Sequence, residues 1–403
     1  MRKTVPVAEL RLGMYVAELD RPWTDTPFKF QGFVLDKPEQ IEILQKHCQV
    51  VFVDPDRSEI LAKLPDNIAA RSVVDLSRTK VTSYSEQAPL EQEFGTAVRH
   101  HASGAAALRD AVLAPLQAGE TLDAGRVTEA VNNLTESVLR NPDAMLLFTQ
   151  LKSKGDYTQS HSLDCSVYMM VFGRFLEMSP EDIALLGHVG LLQDVGKVRL
   201  PTALIEKRER LTEDELAQLR RHVDYSVEIL QNTPQLPKQL PELAILHHER
   251  HDGSGYPRKL RGSEIGLIGS IAGIVDTFSA LTARRPYAEA LAPSTALSIL
   301  YKHRGTLLDG YLVEQFIRCI GIFPLGSVVE LNSGEIGIVI AQNLAKRLQP
   351  RLMIIRDAAG AELKPQKLLD LSRSPKAPNG EPYRIRRTLE YGRVPVNAES
   401  LFS

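Results

Sequence analysis

The apolar positions in the middle of the chain recur with the spacing of α-helices. One predicted helix, over about residues 160–177, has an apolar face at positions i, i+4, i+7 and i+8, occupied by Leu163, Val167, Met170 and Val171. The same spacing, together with capping signals, predicts further helices over residues 183–192, 212–230, 241–249 and 268–281. The middle of the chain is therefore predicted to be all-helical.

Both ends of the chain contain short segments with β character. The predicted strands cover residues 10–19, 30–35 and 50–53 near the N-terminus, and 326–331, 336–341 and 352–356 near the C-terminus. A helical piece over residues 38–47 interrupts the first group, and Ser333-Gly334 is a hairpin signal in the second. We predict a mainly α fold, with an all-helical core, a small α+β N-terminal domain and a short β-rich C-terminal segment.

The length of 403 residues exceeds the usual range of a single domain. The predicted division is a small α+β N-terminal domain over residues 1–65, a linker and helical connector over 66–135, the main helical domain over 136–322, a β-rich segment over 323–372 and a tail over 373–403.

The composition is that of a globular protein, with 43% hydrophobic and 24% charged residues. The net charge of −2 and the lack of a long basic run argue against DNA or RNA as partners. Three unpatterned cysteines, Cys48, Cys165 and Cys319, indicate a reduced cytoplasm, and we interpret each as a small buried apolar residue. No signal-peptide pattern and no apolar run of about 18 residues or more is found, so neither export nor membrane insertion is expected.

Histidine and aspartate side chains on or beside the buried helix faces form the candidate site. They are His161, Asp194, His222, His247, His248 and Asp276. A single histidine on an apolar face is more often a hydrogen-bonded core residue, so the interpretation depends on the whole set. A carboxylate within an apolar helix is costly unless it is paired or binds a cation. The set therefore predicts a metal centre, and its donors suit iron, manganese, zinc or nickel.

Neighbouring residues on a helix differ by about 100° in direction, so His247 and His248 are not expected to share one ion easily. They could bind two adjacent ions, or one of them could make a supporting contact. Two ions roughly 3.5–4 Å apart could be bridged by Asp194 and a hydroxide, which is a nucleophile at neutral pH. That chemistry fits phosphoester hydrolysis.

Two sequence strings resemble a known family. Residues 191–197 read LLQDVGK, and residues 247–257 read HHERHDGSGYP. Together with Tyr157-Thr158 before His161, and with the segment that runs from Asp276 to Tyr287, they resemble the HD-GYP domain of bacterial cyclic di-GMP phosphodiesterases. The resemblance covers about residues 140–320. The N-terminal residues more weakly resemble the domain of unknown function that often precedes this module.

The resemblance implies an HD-type metal-dependent phosphohydrolase core that cleaves cyclic di-GMP to pGpG, to GMP or to both, by a metal-bound hydroxide. It implies two divalent ions, of iron, manganese or another first-row transition metal. The implied metal ligands are His161, Asp194, His222, His247, His248 and Asp276. Asp194 and Lys197 are implied to be catalytic, with Lys197 neutralising phosphate charge. The implied substrate-binding residues are Lys197, Gly255, Tyr256, Pro257 and Arg285.

This chain departs from the family pattern at three places. Gln193 replaces the histidine of the His-Asp pair, and an amide oxygen is a poor ligand for a first-row transition metal. His188 lies five residues earlier and is not expected to replace it, because it points in another direction. Ala288-Glu289 stands where many members have a basic residue that holds a phosphate. Tyr157 stands where some members have a glutamate for a third metal, which favours a two-metal site.

Two other functions compete with the hydrolase. A catalytically weak or inactive module could act as a cyclic di-GMP sensor or as a protein-interaction platform, which Gln193 favours. A phosphohydrolase acting on nucleotides or other phosphoesters is disfavoured by the Gly-Tyr-Pro loop. Beyond cyclic di-GMP, the predicted partners are diguanylate cyclase-type signalling proteins and a second copy of the chain.

Overall fold

The structure is a computed structural model, and the described residues are 3–12, 14–20, 33–35, 38–53, 84, 87–151, 157–283, 290–343, 346 and 348–389. The chain divides into two compact units, Met1–Arg71 and Ser72–Ser403.

The first unit is a small antiparallel sheet with one helix. Its strands are β1 (Lys3–Pro6), β2 (Tyr15–Leu19), β3 (Phe33–Val34) and β4 (Val50–Val53), and its helix α1 covers Pro38–His47. The sheet order is β1-β4-β2-β3, and Val51, Val53, Val16 and Leu44 belong to its apolar core. The α+β character is as predicted. Strand β1 was not predicted, because four residues ending in proline carry too weak a pattern.

The second unit is mainly helical, which confirms the predicted fold class. Its α-helices of five residues or more are α2 (Leu90–Ala107), α3 (Ala124–Arg140), α4 (Pro142–Leu151), α5 (Tyr157–Phe175), α6 (Pro180–Leu192), α7 (Glu213–Arg220), α8 (His222–Gln231), α9 (Leu240–Ala244), α10 (Gly266–Thr282), α11 (Pro293–Lys302) and α12 (Gly310–Ile320). The predicted boundary at residue 135 lies inside α3. Residues of α2 and α3 share one apolar core with the helices that carry the site.

Helices α5 and α6 pack closely and run antiparallel. A Cβ added at Gly187 would lie 2.9 Å from Met170 Sδ, and one added at Gly190 would lie 2.6 Å from the Ser166 backbone. Only glycine allows so close an approach between the two helices. The contacts advance along α6 as they go back along α5, so the end of α6 meets the beginning of α5, where His161 lies.

The capping box predicted at Thr212 is present. Thr212 Oγ1 accepts from the Glu215 backbone N–H at 3.3 Å, and the Glu215 carboxylate accepts from Thr212 N–H at 2.8 Å. The predicted helix over 212–230 is instead two helices, α7 and α8, which meet at Arg221. This break puts His222 at the first position of α8.

Helix α10 is the most apolar element around the site. By length and composition the stretch Gly262–Thr282 could cross a membrane, but 61% of its most apolar 18-residue window is buried inside the protein. Its residues Ile271, Ile274 and Phe278 are fully buried in the helical core. Packing on several sides accounts for the apolar composition of this helix.

The C-terminal sheet has five strands in the order β8-β7-β6-β5-β9. They are β5 (Val328–Leu331), β6 (Ile336–Ala341), β7 (Arg351–Arg356), β8 (Glu362–Asp370) and β9 (Ile385–Thr388). The first three and the hairpin were predicted, whereas β8 and β9 were not. Both lie at sheet edges with most side chains half-buried or exposed, so neither shows an apolar repeat.

Candidate metal centre

Asp194 lies directly after α6, and its carboxylate faces two sets of side chains. Oδ1 lies 3.2 Å from His222 Nε2 and 3.5 Å from His247 Nε2. Oδ2 lies 2.7 Å from Lys197 Nζ and 3.6 Å from His161 Nε2. The carboxylate is buried, and Oδ1 accepts no hydrogen bond from the described residues. It is therefore placed between two groups of donors, where it could bridge two cations.

The first group contains three imidazoles and the Asp194 carboxylate. Donor atoms of Asp194, His222, His247 and His248 all lie within 4.8 Å of one another. His222 Nδ1 donates to Leu219 O, and His247 Nδ1 donates to Ala244 O, each at 2.7 Å. In the neutral rings, each Nε2 then presents a lone pair to the Asp194 carboxylate. Such electron-rich atoms repel one another unless a cation lies between them, so this group fits a metal ion.

The second group lies where α5 meets α10. Donor atoms of His161, Cys165 and Asp276 lie within 4.8 Å of one another. His161 Nε2 lies 3.1 Å from Asp276 Oδ1, and its Nδ1 lies 3.0 Å from Ser279 Oγ. All these side chains are buried. The second group has a nitrogen, a carboxylate and a sulfur available to a cation.

His248 connects the two groups. Its Nδ1 lies 3.9 Å from Asp276 Oδ2, and its ring centroid lies 4.0 Å from that of His247. The expectation that His247 and His248 could not easily share one ion assumed that both lie on an α-helix, and that assumption was wrong. Helix α9 ends at Ala244 and the two histidines lie in a turn, so the 100° helical separation does not apply.

The electrostatics of the site keep both carboxylates ionised. Burial opposes ionisation of Asp194, but the Lys197 ammonium beside it holds its pKa well below the usual range. Burial likewise opposes ionisation of Asp276, and the His161 hydrogen bond outweighs it, so the pKa of Asp276 is lowered. The pKa of His248 is well below its usual value, because of burial and the nearby His247. A neutral His248 has a lone pair available for a metal.

Lys197 is the cation at the open side of the centre. It lies in the 3-10 turn Val195–Arg199 rather than on a continued α-helix, and its side chain is 20% exposed. Asp194 is the residue immediately before this turn, and Lys197 Nζ contacts its carboxylate at 2.7 Å. Lys197 can therefore reach both this carboxylate and a substrate that enters from solvent.

The loop after the paired histidines is held in place by a buried carboxylate. Glu249 accepts from Arg258 N–H at 2.7 Å and from Leu260 N–H at 3.0 Å, through its two oxygens. Gly255 lies so close to the backbone that an added Cβ would be 2.4 Å from Arg250 N. This arrangement fixes the position of the Gly255-Tyr256-Pro257 segment.

Tyr256 covers one side of the centre. Its ring stacks on that of His248, with the ring centroids 4.7 Å apart and an angle of 28° between the ring planes. In a second contact, the guanidinium of Arg220, the last residue of α7, lies 5.0 Å from the Tyr256 ring centroid. Burial raises the pKa of Tyr256, so its hydroxyl keeps its proton and can donate a hydrogen bond. The order His248, Tyr256, Arg220 runs from the candidate ligands toward the exposed surface.

Gln193 is the departure from the family pattern, and its side chain is 1% exposed. Neither its amide oxygen nor its amide nitrogen has a hydrogen-bond partner among the described residues. His188 does not join either donor group; its Nδ1 donates to Ala184 O at 2.9 Å, and burial lowers its pKa. Arg285, Ala288-Glu289 and the Tyr157 side chain lie outside the described residues.

Two residues at the site were not expected from the sequence. Cys165 was interpreted as a small apolar residue, although its position four residues after His161 is a spacing that puts both on one helix face. Arg220 lies near Tyr256 only because α7 packs beside the loop, and nothing in the local sequence indicates that contact.

The sequence was compared with protein families and curated proteins. Residues 145–312 match the HD domain, residues 2–136 match a domain of unknown function (DUF3391), and residues 328–377 match a KOW domain associated with the HD domain. A cyclic di-GMP phosphodiesterase of Pseudomonas aeruginosa is 30% identical over 379 residues, which cover 93% of this chain and 90% of that protein.

Two further relatives match shorter parts of the chain. A cyclic di-GMP phosphodiesterase response regulator of Xanthomonas campestris is 38% identical over 144 residues, covering 36% of this chain and 38% of that protein. A 3'3'-cGAMP-specific phosphodiesterase of Vibrio cholerae is 34% identical over 172 residues, covering 43% of this chain and 37% of that protein. The chain therefore belongs to the HD-GYP family of cyclic di-GMP phosphodiesterases, which are metal-dependent HD-domain phosphohydrolases.

Proposed function

We propose that this protein hydrolyses cyclic di-GMP to pGpG, to GMP or to both, with two divalent ions of iron, manganese or another first-row transition metal. The observation that carries the proposal is the position of Asp194 between two donor groups, with Lys197 on its open side. The similarity to the Pseudomonas phosphodiesterase over nearly the whole chain supports this substrate. The proposed location is the cytoplasm, consistent with three free cysteines.

The residues present fit the implied metal ions. His222, His247 and His248 would hold one ion, His161 and Asp276 would hold the other, and Asp194 is placed to serve both. When bound, the ions supply Lewis-acid stabilisation of phosphoryl oxygens and lower the pKa of water. The protein contributes a fixed, buried donor set whose histidines are oriented by backbone carbonyls.

Lys197 is proposed to act on the phosphate. Its ammonium is held by Asp194 at the edge of the centre, close to where a phosphodiester would contact the donor groups. Negative charge grows on the phosphoryl oxygens as the transition state forms. A fixed cation therefore stabilises the transition state more than it stabilises the ground state. Lys197 therefore serves the chemical step, whereas the donor groups position the ions.

The Tyr256 stack is proposed to bind the rest of the substrate. Tyr256 keeps a phenolic proton that can be donated to a phosphate or base, and Arg220 adds a cation above its ring. Gly255 and Pro257 shape the loop on either side, and Arg285 is a further proposed substrate contact. Arg220 could partly replace the basic residue that is missing at Ala288-Glu289.

The second candidate function is a cyclic di-GMP sensor, and Gln193 is the observation that favours it. A buried amide without a hydrogen-bond partner costs free energy and supplies a poor metal ligand. The variants Gln193→His and Gln193→Leu separate the two functions. If metal is limiting, Gln193→His raises metal content and turnover while Gln193→Leu changes neither.

The decisive experiment is turnover by the full chain loaded with Fe²⁺ or Mn²⁺. We expect pGpG or GMP to form from cyclic di-GMP, and we expect slower hydrolysis of 3'3'-cGAMP, which is the substrate in the name of the Vibrio relative. Asp194→Ala should abolish product formation and reduce metal content. Fully metallated protein that binds cyclic di-GMP without forming product would establish the sensor instead, and turnover by Asp194→Ala would reject the site.

A further inference from the structure

Cys165 lies within the metal centre. Its side chain is fully buried, and its Sγ lies 3.7 Å from His161 Nε2 and 3.9 Å from His161 Nδ1. Because the two residues are four apart on α5, they share one face of the helix. The sulfur also belongs to the group of donor atoms that includes Asp276. The thiol therefore contacts the candidate metal-binding atoms, and the residue also belongs to the apolar core.

The second donor group needs the sulfur more than the first group would. The first group has three imidazoles with Asp194, whereas the second has one imidazole and the Asp276 carboxylate. Gln193 does not supply the missing ligand, because its amide oxygen binds first-row transition metals weakly. The backbone of Cys165 lies beside α6, since a Cβ added at Gly190, one turn before Gln193, would lie 2.7 Å from the Cys165 carbonyl carbon.

The chemistry of the thiol is suited to a cation at this place. A thiol that coordinates a divalent ion loses its proton and becomes a thiolate. The thiolate and a cation would neutralise each other inside a buried group of negative donors.

We propose that Cys165 binds the second metal ion as a thiolate, together with His161, Asp276 and Oδ2 of Asp194. On binding, the Sγ–H bond breaks, a sulfur–metal bond forms and the proton passes to solvent. A soft sulfur donor favours iron, cobalt or zinc at this position over manganese or magnesium. The inference rests on the metal centre of the proposed function, but it does not depend on the substrate.

The test is a Co²⁺ titration of the full, metal-free chain, followed by absorption spectroscopy. A thiolate ligand produces an intense sulfur-to-cobalt charge-transfer band in the near ultraviolet, which imidazole and carboxylate ligands do not produce. We expect this band in the wild type as the second Co²⁺ binds. Cys165→Ser should lack the band and bind the second ion at least about 10-fold more weakly. Cys319→Ser is the matched control, since Cys319 contacts a backbone carbonyl away from the site, and it should keep the band.

Wild-type protein that binds two Co²⁺ ions without the band would overturn the proposal, as would a band that persists in Cys165→Ser. If Cys165→Ser does not fold, the wild-type and Cys319→Ser spectra decide the question. Cyclic di-GMP turnover is measured on the same proteins loaded with Fe²⁺ or Mn²⁺. A band without turnover supports thiolate ligation and rejects the proposed hydrolase, whereas turnover without the band rejects the ligation and keeps the hydrolase.

Discussion

The Nε2 atoms of His222 and His247 lie 3.4 Å apart, and both face Oδ1 of Asp194. The Nδ1–H of each ring donates a hydrogen bond to a backbone carbonyl. The lone pairs of the two Nε2 atoms therefore meet the carboxylate oxygen in a buried space. A metal ion between them removes the repulsion.

Metal binding should therefore stabilise the folded protein. At an ion concentration about 100 times the dissociation constant, we expect about 2.7 kcal/mol of added free energy of unfolding, because the unfolded chain lacks the assembled site. Thermal unfolding with and without a chelator measures the effect. Asp194→Ala, which removes the carboxylate shared by both donor groups, should show a much smaller difference. Equal responses of the two proteins would contradict the assignment.

Lys197→Ala should lower kcat by about 100-fold or more, because the cation that stabilises transition-state charge is removed. Metal content should stay near the wild-type level, since the lysine is not a ligand. Steady-state kinetics and metal analysis on the same sample test both statements. Lys238→Ala, an exposed lysine away from the site, is the control and should retain activity. An unchanged kcat in Lys197→Ala would remove this residue from the mechanism.

Arg220→Ala should raise KM for cyclic di-GMP by about 3- to 30-fold with a smaller change in kcat, the size expected from a cation over an aromatic ring. Arg221→Ala is a closely matched control. Arg221 is the next residue, but its guanidinium lies over Tyr225, 4.9 Å from that ring centroid. If the two variants change KM equally, a general loss of positive charge, and not the Tyr256 stack, explains the effect.

The buried ion pair of Glu93 and Arg140 should make stability depend on pH. Glu93 accepts from Arg140 Nε at 2.9 Å and Nη2 at 3.0 Å, and from Ser137 Oγ at 2.7 Å. Burial opposes ionisation, but these hydrogen bonds outweigh it and lower the pKa of Glu93 below its usual 4.5. A lowered folded-state pKa gives stability that is present above the unfolded-state pKa and is lost as the pH falls through the folded-state value.

Glu93→Gln should therefore lower the free energy of unfolding by about 1–3 kcal/mol at pH 7. This difference from wild type should shrink when the pH is below the usual glutamate pKa. Urea unfolding at pH 7 and at such an acid pH measures the difference. Glu136→Gln is the control, because Glu136 is 65% exposed and lies 3.7 Å from Arg140. A difference that stays constant with pH would show that Glu93 acts through packing instead.

The sequence was sufficient to predict the helical core, because long elements such as α5, α6 and α10 repeat their apolar residues at helical spacing. It also indicated six donors that the structure brings into two adjacent groups. Their order along the chain matches the family, and their meeting follows from the packing of those helices.

What the sequence did not predict depends on contacts between distant segments. Strand β9 is polar, and its place in the sheet depends on pairing with β5, where Arg387 and Glu330 form an ion pair at the edge. The paired histidines were assigned helical geometry because nothing in the sequence shows that α9 ends at Ala244. Arg220 reaches Tyr256 only through tertiary packing.

The glycine contacts between α5 and α6 have a consequence for cofactor loading. Gly190 lets the two backbones touch at Ser166, and that closeness sets how far His161 lies from Asp194. A methyl group at this position would collide with the Ser166 backbone and push the two helices apart. The spacing of the two donor groups thus depends on a residue with no side chain, and the donors come together only when these helices have docked.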